Sequence, residues 1–180
     1  FLLQDEEGHE NSFGDSFGDS LDVSADGNTF VIAWANSNSV FRDGGRVSVY
    51  RRQAATGGYI QLGGTLFPSR DGRRIFHFGS RVRLSQDGNT LAVSARGAFG
   101  RATVQVFQYD EVLDDWTQLG ETFTNVSGDF AVSDNGLTVA LGNDFENNSR
   151  GAIRVYRYNG SKWMQVAQTL EGQSEESSLG

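Results

Sequence analysis

Short runs of β-branched and aromatic residues, bounded by Gly, Asn and Asp, follow one another along the chain. No stretch keeps the apolar spacing of about 3.6 residues that an amphipathic helix requires. Short apolar runs between turn-forming residues are typical of β-strands. The pattern therefore predicts an all-β fold.

One such pattern occurs three times. The residues from Phe17 to Ile32 align without a gap with those from Phe78 to Val93, and a more divergent copy runs from Phe130 to Leu141. Each copy is followed by a second β-like run and then by a third, which places an aromatic residue at one shared position: Tyr59, Trp116 and Trp163. An aromatic residue repeated in every copy is typical of packing between repeats.

A tight turn is predicted inside each copy, between its first and second strand. The turn residues are Asp-Gly in two copies and Asn-Gly in the third: Asp26, Gly27, Asp87, Gly88, Asn135 and Gly136. Glycine adopts the positive φ that tight hairpins demand. Each repeat is thus expected to be a meander of four antiparallel strands. Four strands in about 50 residues is the size of one β-propeller blade, and a sandwich would not explain the repetition.

We therefore expect a β-propeller-type array of about three four-stranded antiparallel blades, forming a segment of a larger propeller. The expected blades are residues 17–77, 78–125 and 126–178, with residues 1–16 as the tail of a preceding blade and a linker, and residues 179–180 as the start of a further blade. Closed propellers have about 4 to 8 blades. Three blades cannot close a ring, so the array is expected to pair with further blades of the same chain or with an edge-pairing partner.

Composition excludes several function classes. The 180 residues include no cysteine and two histidines, which removes disulfides, thiolate catalysis and cysteine-bound metals and leaves little for a histidine site. The formal net charge is −8, which argues against nucleic-acid binding. The apolar runs are far shorter than the roughly 20 residues of a membrane helix. We expect no nucleic-acid partner and no membrane insertion.

The repeats resemble a known family. The order of a Phe-Gly pair, a polar Asp-Gly turn and an apolar strand, seen at Phe17-Gly18 and again at Phe78-Gly79, is similar to the FG-GAP repeats of integrin-alpha-type β-propellers. It is most similar to a divergent form found in secreted or cell-surface proteins of diatoms and marine bacteria. The resemblance implies a propeller located extracellularly, at the cell surface or in a lumen. The third copy departs from it, with Val126-Ser127 in place of Phe-Gly.

Many members of that family hold calcium in this turn through several aspartates. Here only Asp22 and Asp26 match in the first copy, and the closing acidic position is Phe30. A hard cation needs more carboxylate oxygens than these turns supply. We expect no cofactor, with Asp22 and Asp26 as the only calcium candidates, and we expect Asp26 and Asp87 to accept hydrogen bonds within their turns.

Catalytic signatures are weak. The segment from Gly14 to Gly18 matches a Gly-x-Ser-x-Gly nucleophile elbow, but it lacks the strand before it and the helix after it that such an elbow needs. Paired carboxylates in a loop would favour glycosidase chemistry, and only Asp144 and Glu146 lie together in one of the variable loops. We therefore expect no catalytic residues and no enzymatic activity.

Function in repeat propellers is expected in the variable connecting loops. These loops are rich in Arg and Phe, residues typical of protein-interface anchors, and Trp34 has no aromatic equivalent in the other copies. The binding candidates are Trp34, Phe41, Arg42, Arg70, Arg73, Arg74, Phe99, Arg101, Phe145 and Arg150. They predict a non-enzymatic binding or scaffold module for a protein or acidic polysaccharide. Two alternatives remain: a propeller-type hydrolase with catalytic residues mostly outside this segment, and an accessory subunit of a larger assembly.

Overall fold

The computed structural model describes residues 17–37, 44–68, 75–97 and 102–173. They form three antiparallel sheets that follow one another along the chain, as the repeats predicted, and we call these sheets blades one, two and three. The terminal segments predicted for neighbouring blades, residues 1–16 and 179–180, lie outside the described residues.

Each blade is a meander in which consecutive strands are neighbours. Blade one contains β1 (Ser20–Val23), β2 (Thr29–Trp34), β3 (Arg46–Arg52) and β4 (Tyr59–Gln61). Blade two contains β5 (Ile75–Leu84), β6 (Thr90–Gly97), β7 (Ala102–Asp110), β8 (Asp115–Gln118) and β9 (Phe123–Val126). Blade three contains β10 (Phe130–Val132), β11 (Thr138–Asn143), the single turn α1 (Glu146–Ser149), β12 (Ala152–Tyr158), β13 (Trp163–Gln165) and β14 (Leu170–Glu171).

Two blades carry a fifth short strand that the repeat did not predict. Strand β9 pairs with β7, and β14 pairs with β12, in both cases beside the strand that closes the meander. Strand β5 begins at Ile75, so its first residues come from the segment assigned by sequence to the first repeat. The chain therefore crosses from one blade to the next slightly earlier than the Phe-Gly pair.

The turn between the first two strands is held by side chains. In blade one the hydroxyl of Ser24 donates to the Asp26 carboxylate (2.6 Å) and accepts the backbone N–H of Thr29 (2.9 Å). The same carboxylate accepts the backbone N–H of Asn28 (2.9 Å), while Gly27 takes φ +69°. The hydrogen bonds from Ser24 and Asn28 favour the ionised form and lower the pKa of Asp26 to about 2. Ser85 and Ser133 occupy the same position in the other two turns.

The main core lies between neighbouring blades. We call the face of a blade turned toward the preceding blade its leading face, and the opposite face its trailing face. Alternate residues of a strand point to opposite faces. Val31 therefore lies on the trailing face of blade one, and its neighbour Ile32 lies on the leading face. One buried cluster joins the trailing face of blade one to the leading face of blade two, and a second joins blades two and three.

The contacts between blades repeat along the array. The indole N–H of Trp116 donates to the carbonyl of Leu62 (2.8 Å), and that of Trp163 donates to the carbonyl of Leu119 (2.8 Å). A glycine follows each accepting leucine, and a Cβ on that glycine would lie 2.8 Å from the indole ring. These tryptophans therefore pack between blades, the role that their shared repeat position indicated.

Candidate functional site

The three blades share one edge where their connecting loops emerge. Strands β2, β6 and β11 end at this edge with Trp34, Gly97 and Asn143. Because the strands are antiparallel, β3, β7 and β12 begin at the same edge. We call it the loop edge, and we call the opposite edge, which carries the Asp-Gly turns, the turn edge. Each of these three pairs of strands is therefore connected at the loop edge.

Three of the ten candidate binding residues are described. Trp34, Phe145 and Arg150 lie at the loop edge, where the sequence placed them. The remaining candidates lie outside the described residues: Phe41, Arg42, Arg70, Arg73, Arg74, Phe99 and Arg101. The described candidates therefore come from blades one and three.

Trp34 belongs to the packing of blade one. The guanidinium of Arg46 lies over its ring, 4.8 Å from the centroid, and Phe17 meets it edge-on at 5.2 Å. Its side chain is buried in a cluster with Ile32 and Tyr50. A cation over an aromatic face and an edge-to-face pair are both favourable geometries. Trp34 thus stabilises the blade, and in this structure its ring is not presented to a ligand.

The loop of residues 143–151, which we call the blade-three loop, is held by its own polar side chains. The Ser127 hydroxyl lies between the side-chain oxygens of Asn143 and Asp144 and accepts the backbone N–H of Asp144 (3.0 Å). The Asn143 side chain accepts the N–H of Phe145 (3.2 Å) and donates to Glu146 (3.2 Å). The first half of the loop is therefore fixed from both sides.

An ion pair fixes the middle of the blade-three loop. The Glu146 carboxylate accepts two N–H groups of the Arg154 guanidinium, one of them at 2.7 Å, in a bidentate arrangement. The hydrogen bond from Arg154 is the main reason that the pKa of Glu146 is lowered, although partial burial acts in the opposite direction. The lowered pKa favours the ionised carboxylate, which is the form that pairs with Arg154. Its role in the described structure is to anchor the loop.

The second half of the loop adopts an unusual backbone. Asn147, Asn148 and Ser149 have φ values of 54°, 57° and 64°, three consecutive left-handed residues without glycine. Each such residue costs about 1 kcal/mol, and conformations of this kind are frequent at functional sites. The turn closes when the N–H of Gly151 reaches the carbonyl of Glu146 (3.1 Å).

This scaffold presents one large aromatic side chain. Phe145 is 71% exposed, although its own backbone N–H is held by Asn143. The second half of the loop and the end of β14 line a shallow cavity of about 310 Å³: Asn147, Asn148, Arg150, Glu171 and Gly172. The blade-three loop therefore combines a rigid backbone, an exposed aromatic ring and a polar hollow.

The two calcium candidates act as hydrogen-bond acceptors in the structure. Asp22 accepts the backbone N–H groups of Val23 (2.9 Å) and, across the blade boundary, of Leu84 (2.8 Å). Asp26 is used by its own turn. Within the described ranges, no group of three or more His, Asp or Glu side chains could hold a metal ion. None of the helices in the described part of the chain is long and apolar enough to cross a membrane.

The sequence indicated Phe145 and Arg150 as binding candidates and Asp144 and Glu146 as neighbouring carboxylates. It did not indicate the residues that position them. Ser127 comes from the preceding connection, and Arg154 lies on β12. The one available signal was the pair Val126-Ser127, which replaces the Phe-Gly pair in the third copy only. The hydroxyl gained by that replacement is the group that holds Asn143 and Asp144.

Comparison with solved structures identifies the architecture. The chain is similar to the periplasmic gluconolactonase of Pseudomonas aeruginosa, with 24% identity and a TM-score of 0.54 over 84% of this chain and 39% of that one. A candidate 6-phosphogluconolactonase from Bacteroides uniformis matches with 17% identity and a TM-score of 0.55 over 84% and 39%. TolB from Acinetobacter baumannii matches with 18% identity and a TM-score of 0.51 over 89% and 33%. No protein-family model and no curated protein matches the chain.

These similarities confirm the predicted fold. Nearly the whole chain superimposes on β-propeller-type proteins, so it is an all-β array of three antiparallel propeller blades. The chain spans about two fifths of the length of the lactonases and one third of TolB. The comparisons do not extend to the FG-GAP family, so membership in it stays a prediction.

The exclusion of enzymatic activity is wrong. Enzymatic activity was excluded because no catalytic motif in the sequence stands in its expected structural context. The gluconolactonase and the candidate 6-phosphogluconolactonase nevertheless place enzymes among the structures most similar to this chain. Because function in this fold resides in the loops rather than in the repeated strands, the absence of a local motif is not a reason to exclude catalysis.

Proposed function

We propose that this chain is a β-propeller module that binds a protein partner through the blade-three loop, with Phe145 as the anchor. The observation that carries the proposal is a large apolar ring, 71% exposed, on a loop fixed by hydrogen bonds and an ion pair. Large exposed aromatic residues on rigid supports are typical of binding hot spots.

The rigidity of the loop supports binding on energetic grounds. Ordering a flexible loop on association costs about 0.5–1.5 kcal/mol for each immobilised side chain. Here Asn143, Glu146 and Arg154 already hold the loop, so a partner that buries Phe145 keeps most of the roughly 1.5–3 kcal/mol that burial of a phenylalanine provides.

Two features describe the partner and its location. The arginines that the sequence analysis assigned to variable loops, among them Arg70, Arg73 and Arg74, favour a partner with an acidic surface, because guanidinium groups pair with carboxylates in a bidentate manner. One similar structure is a periplasmic protein, and together with the FG-GAP resemblance this supports a location outside the cytoplasm. An acidic polysaccharide is the alternative ligand for the same arginines.

Photo-crosslinking tests the proposal. Phe145 is replaced by benzoylphenylalanine, and the matched control carries the same residue at Val112, an even more exposed apolar position in the β7–β8 turn at the opposite edge. We expect a discrete protein adduct from position 145 only. The protein identified by mass spectrometry should then bind purified Phe145→Ala at least tenfold more weakly than wild type, and Val112→Ala equally well. Adducts of equal yield from both positions, or unchanged affinity of Phe145→Ala, would contradict the proposal.

Lactone hydrolysis is a second candidate function, supported by the similarity of the fold to a gluconolactonase and to a candidate 6-phosphogluconolactonase. It is tested by following acid release from gluconolactone in a pH-stat. Turnover above the spontaneous rate, lost on Asp144→Asn, would support catalysis at the loop edge. A rate equal to the spontaneous one would remove this candidate and leave the binding proposal as it stands.

A further inference from the structure

We propose that Arg81 and Arg83 of blade two form a binding site for a tetrahedral dianion, that is, a phosphate or sulfate group. Both side chains belong to β5, the first strand of its blade, and both converge on one carboxylate of blade three. The inference goes beyond the proposed function and does not depend on it, because none of these residues belongs to the blade-three loop.

The first strands of neighbouring blades lie side by side. The N–H of Val82 on β5 donates to the hydroxyl of Ser20 on β1 (3.1 Å), and the N–H of Leu84 donates to the carboxylate of Asp22 (2.8 Å). The blades of a propeller surround a central channel, and one edge strand of every blade borders it. The direct bonds between β1 and β5 indicate that the first strands form this inner edge. The two arginines therefore face the channel, whatever number of blades completes the ring.

Blade two departs from the repeat at the two positions that form this contact. In blade one these positions are Ser20 and Asp22, short side chains that accept the N–H groups of β5. The aligned residues of blade two are Arg81 and Arg83. A guanidinium group has only donors, so it cannot accept an N–H group from β10. The change thus replaces two acceptors between blades with two cations.

Most of the donors on the two arginines are not used by the described residues. Arg81 donates to the carbonyl of Gly128 (2.9 Å), and Arg83 donates to the carbonyl of Val82 (2.9 Å). A guanidinium group carries five N–H donors. The two side chains are 49% and 39% exposed, so the remaining donors are accessible to a ligand.

Asp129 shows that the two guanidinium groups share one location. Its Oδ1 lies 3.7 Å from Nη1 of Arg81, and its Oδ2 lies 3.7 Å from Nη2 of Arg83. Both distances exceed the length of a hydrogen bond, and Oδ1 already accepts the backbone N–H of Phe130 (2.9 Å). Asp129 therefore acts as a loosely held counterion. Two cations beside one carboxylate leave a positive charge at an exposed position.

The arrangement favours a tetrahedral dianion over a carboxylate ligand. A carboxylate has two oxygens, and a single guanidinium binds both in a bidentate manner. A phosphate group presents at least three acceptor oxygens and a charge near −2, so it accepts hydrogen bonds from two arginines at once. Its greater charge also allows it to compete with Asp129 for the same cations. The site thus matches a phosphorylated or sulfated ligand.

Isothermal titration calorimetry with inorganic phosphate at constant ionic strength tests the site. The formal net charge of −8 disfavours nonspecific binding of anions, so saturable binding reports a local site. Wild type should bind one phosphate per chain, and Arg81→Gln and Arg83→Gln should each bind about tenfold more weakly, as expected for a lost hydrogen bond to a charged group. Arg157→Gln is the matched control, because it removes the same charge from an exposed position on β12 and should bind as wild type does.

The variant Asp129→Asn separates a binding site from an ion pair that only joins two blades. In the proposed site the carboxylate competes with the ligand, so its removal should tighten phosphate binding by about twofold to fivefold, the size expected for an exposed ion pair. A purely structural ion pair would instead give a lower Tm without any gain in affinity. That result, or no binding to wild type, would overturn the proposal.

Competition identifies the class of anion. Sulfate should displace phosphate from wild type, because both are tetrahedral dianions, whereas acetate at the same concentration should not. Equal displacement by acetate, or equal affinity of wild type and the two arginine variants for phosphate, would also contradict the proposed site.

Discussion

Substitution of the turn glycines by alanine should separate backbone strain from packing between blades. Gly27, Gly88 and Gly136 stand at the same position of three repeats with φ values of 69°, 69° and 70°. Alanine at any of them must adopt a left-handed conformation, which costs about 1 kcal/mol. This cost is common to the three sites, so any further difference must arise from what the added methyl group meets.

The neighbours of the added methyl group differ between the three sites. At Gly88 it would overlap Thr29, and at Gly136 it would overlap Thr90 at 2.1–2.3 Å. Both threonines are nearly fully buried, so they cannot retreat into solvent. Overpacking of a buried contact costs about 1–3 kcal/mol. We expect Gly88→Ala and Gly136→Ala to lower the free energy of unfolding by about 2–4 kcal/mol, and Gly27→Ala by about 1 kcal/mol.

Thermal unfolding followed by circular dichroism measures these differences. All three variants are compared with wild type under the same conditions. For a chain of this size 1 kcal/mol corresponds to about 2–4 °C in Tm, which separates Gly27→Ala from the other two variants by several degrees. Equal losses at all three positions would show that the threonine contacts do not constrain the glycines and would refute the reasoning.

Two further predictions concern the turns and the tryptophans. Asp26 has a pKa of about 2, below its ordinary value of 3.8, so the stability that its ionised form contributes is present above about pH 4 and is lost as the pH falls toward 2. Asp26→Asn should therefore flatten the acid limb of a profile of Tm against pH. An unchanged acid limb would contradict this role of Asp26. Trp163→Phe removes the donor to the buried carbonyl of Leu119, so it should lower the free energy of unfolding by about 1–3 kcal/mol. Urea titration measures this loss, and the control Met164→Leu on the same strand should leave the free energy of unfolding nearly unchanged.

The architecture was predictable because each blade repeats the same local information. The Ser-x-Asp-Gly-x-Thr turn places its serine, acid and threonine where side-chain hydrogen bonds close a hairpin, and these contacts span only five residues. The strands that follow alternate toward two neighbouring blades, so the apolar pattern of β2, β6 and β11 is recognisable in each copy. The packing role of Trp116 and Trp163 followed from their shared position.

The remaining features depend on contacts between residues far apart in the chain. Strand β9 forms because residues 123–126 return to pair with Ala102 and its neighbours, with a shift in register that no local pattern specifies. The left-handed residues 147–149 are imposed by the closure of a loop whose ends, Asn143 and Ala152, are paired in the sheet. The burial of Trp34 required Arg46 and Phe17 to come together. The exclusion of enzymatic activity from the sequence was wrong because catalytic groups in a propeller need not be close in sequence.

The uniform contacts between blades have a consequence for how such a chain can change in evolution. A tandem duplication of the segment that encodes one blade would insert a unit whose leading face supplies an indole and accepts a threonine and a backbone N–H. Its trailing face would supply the leucine carbonyl and the glycine that receive the next indole. The new boundary would be compatible from the first generation, so blade number could change in single steps without compensating substitutions.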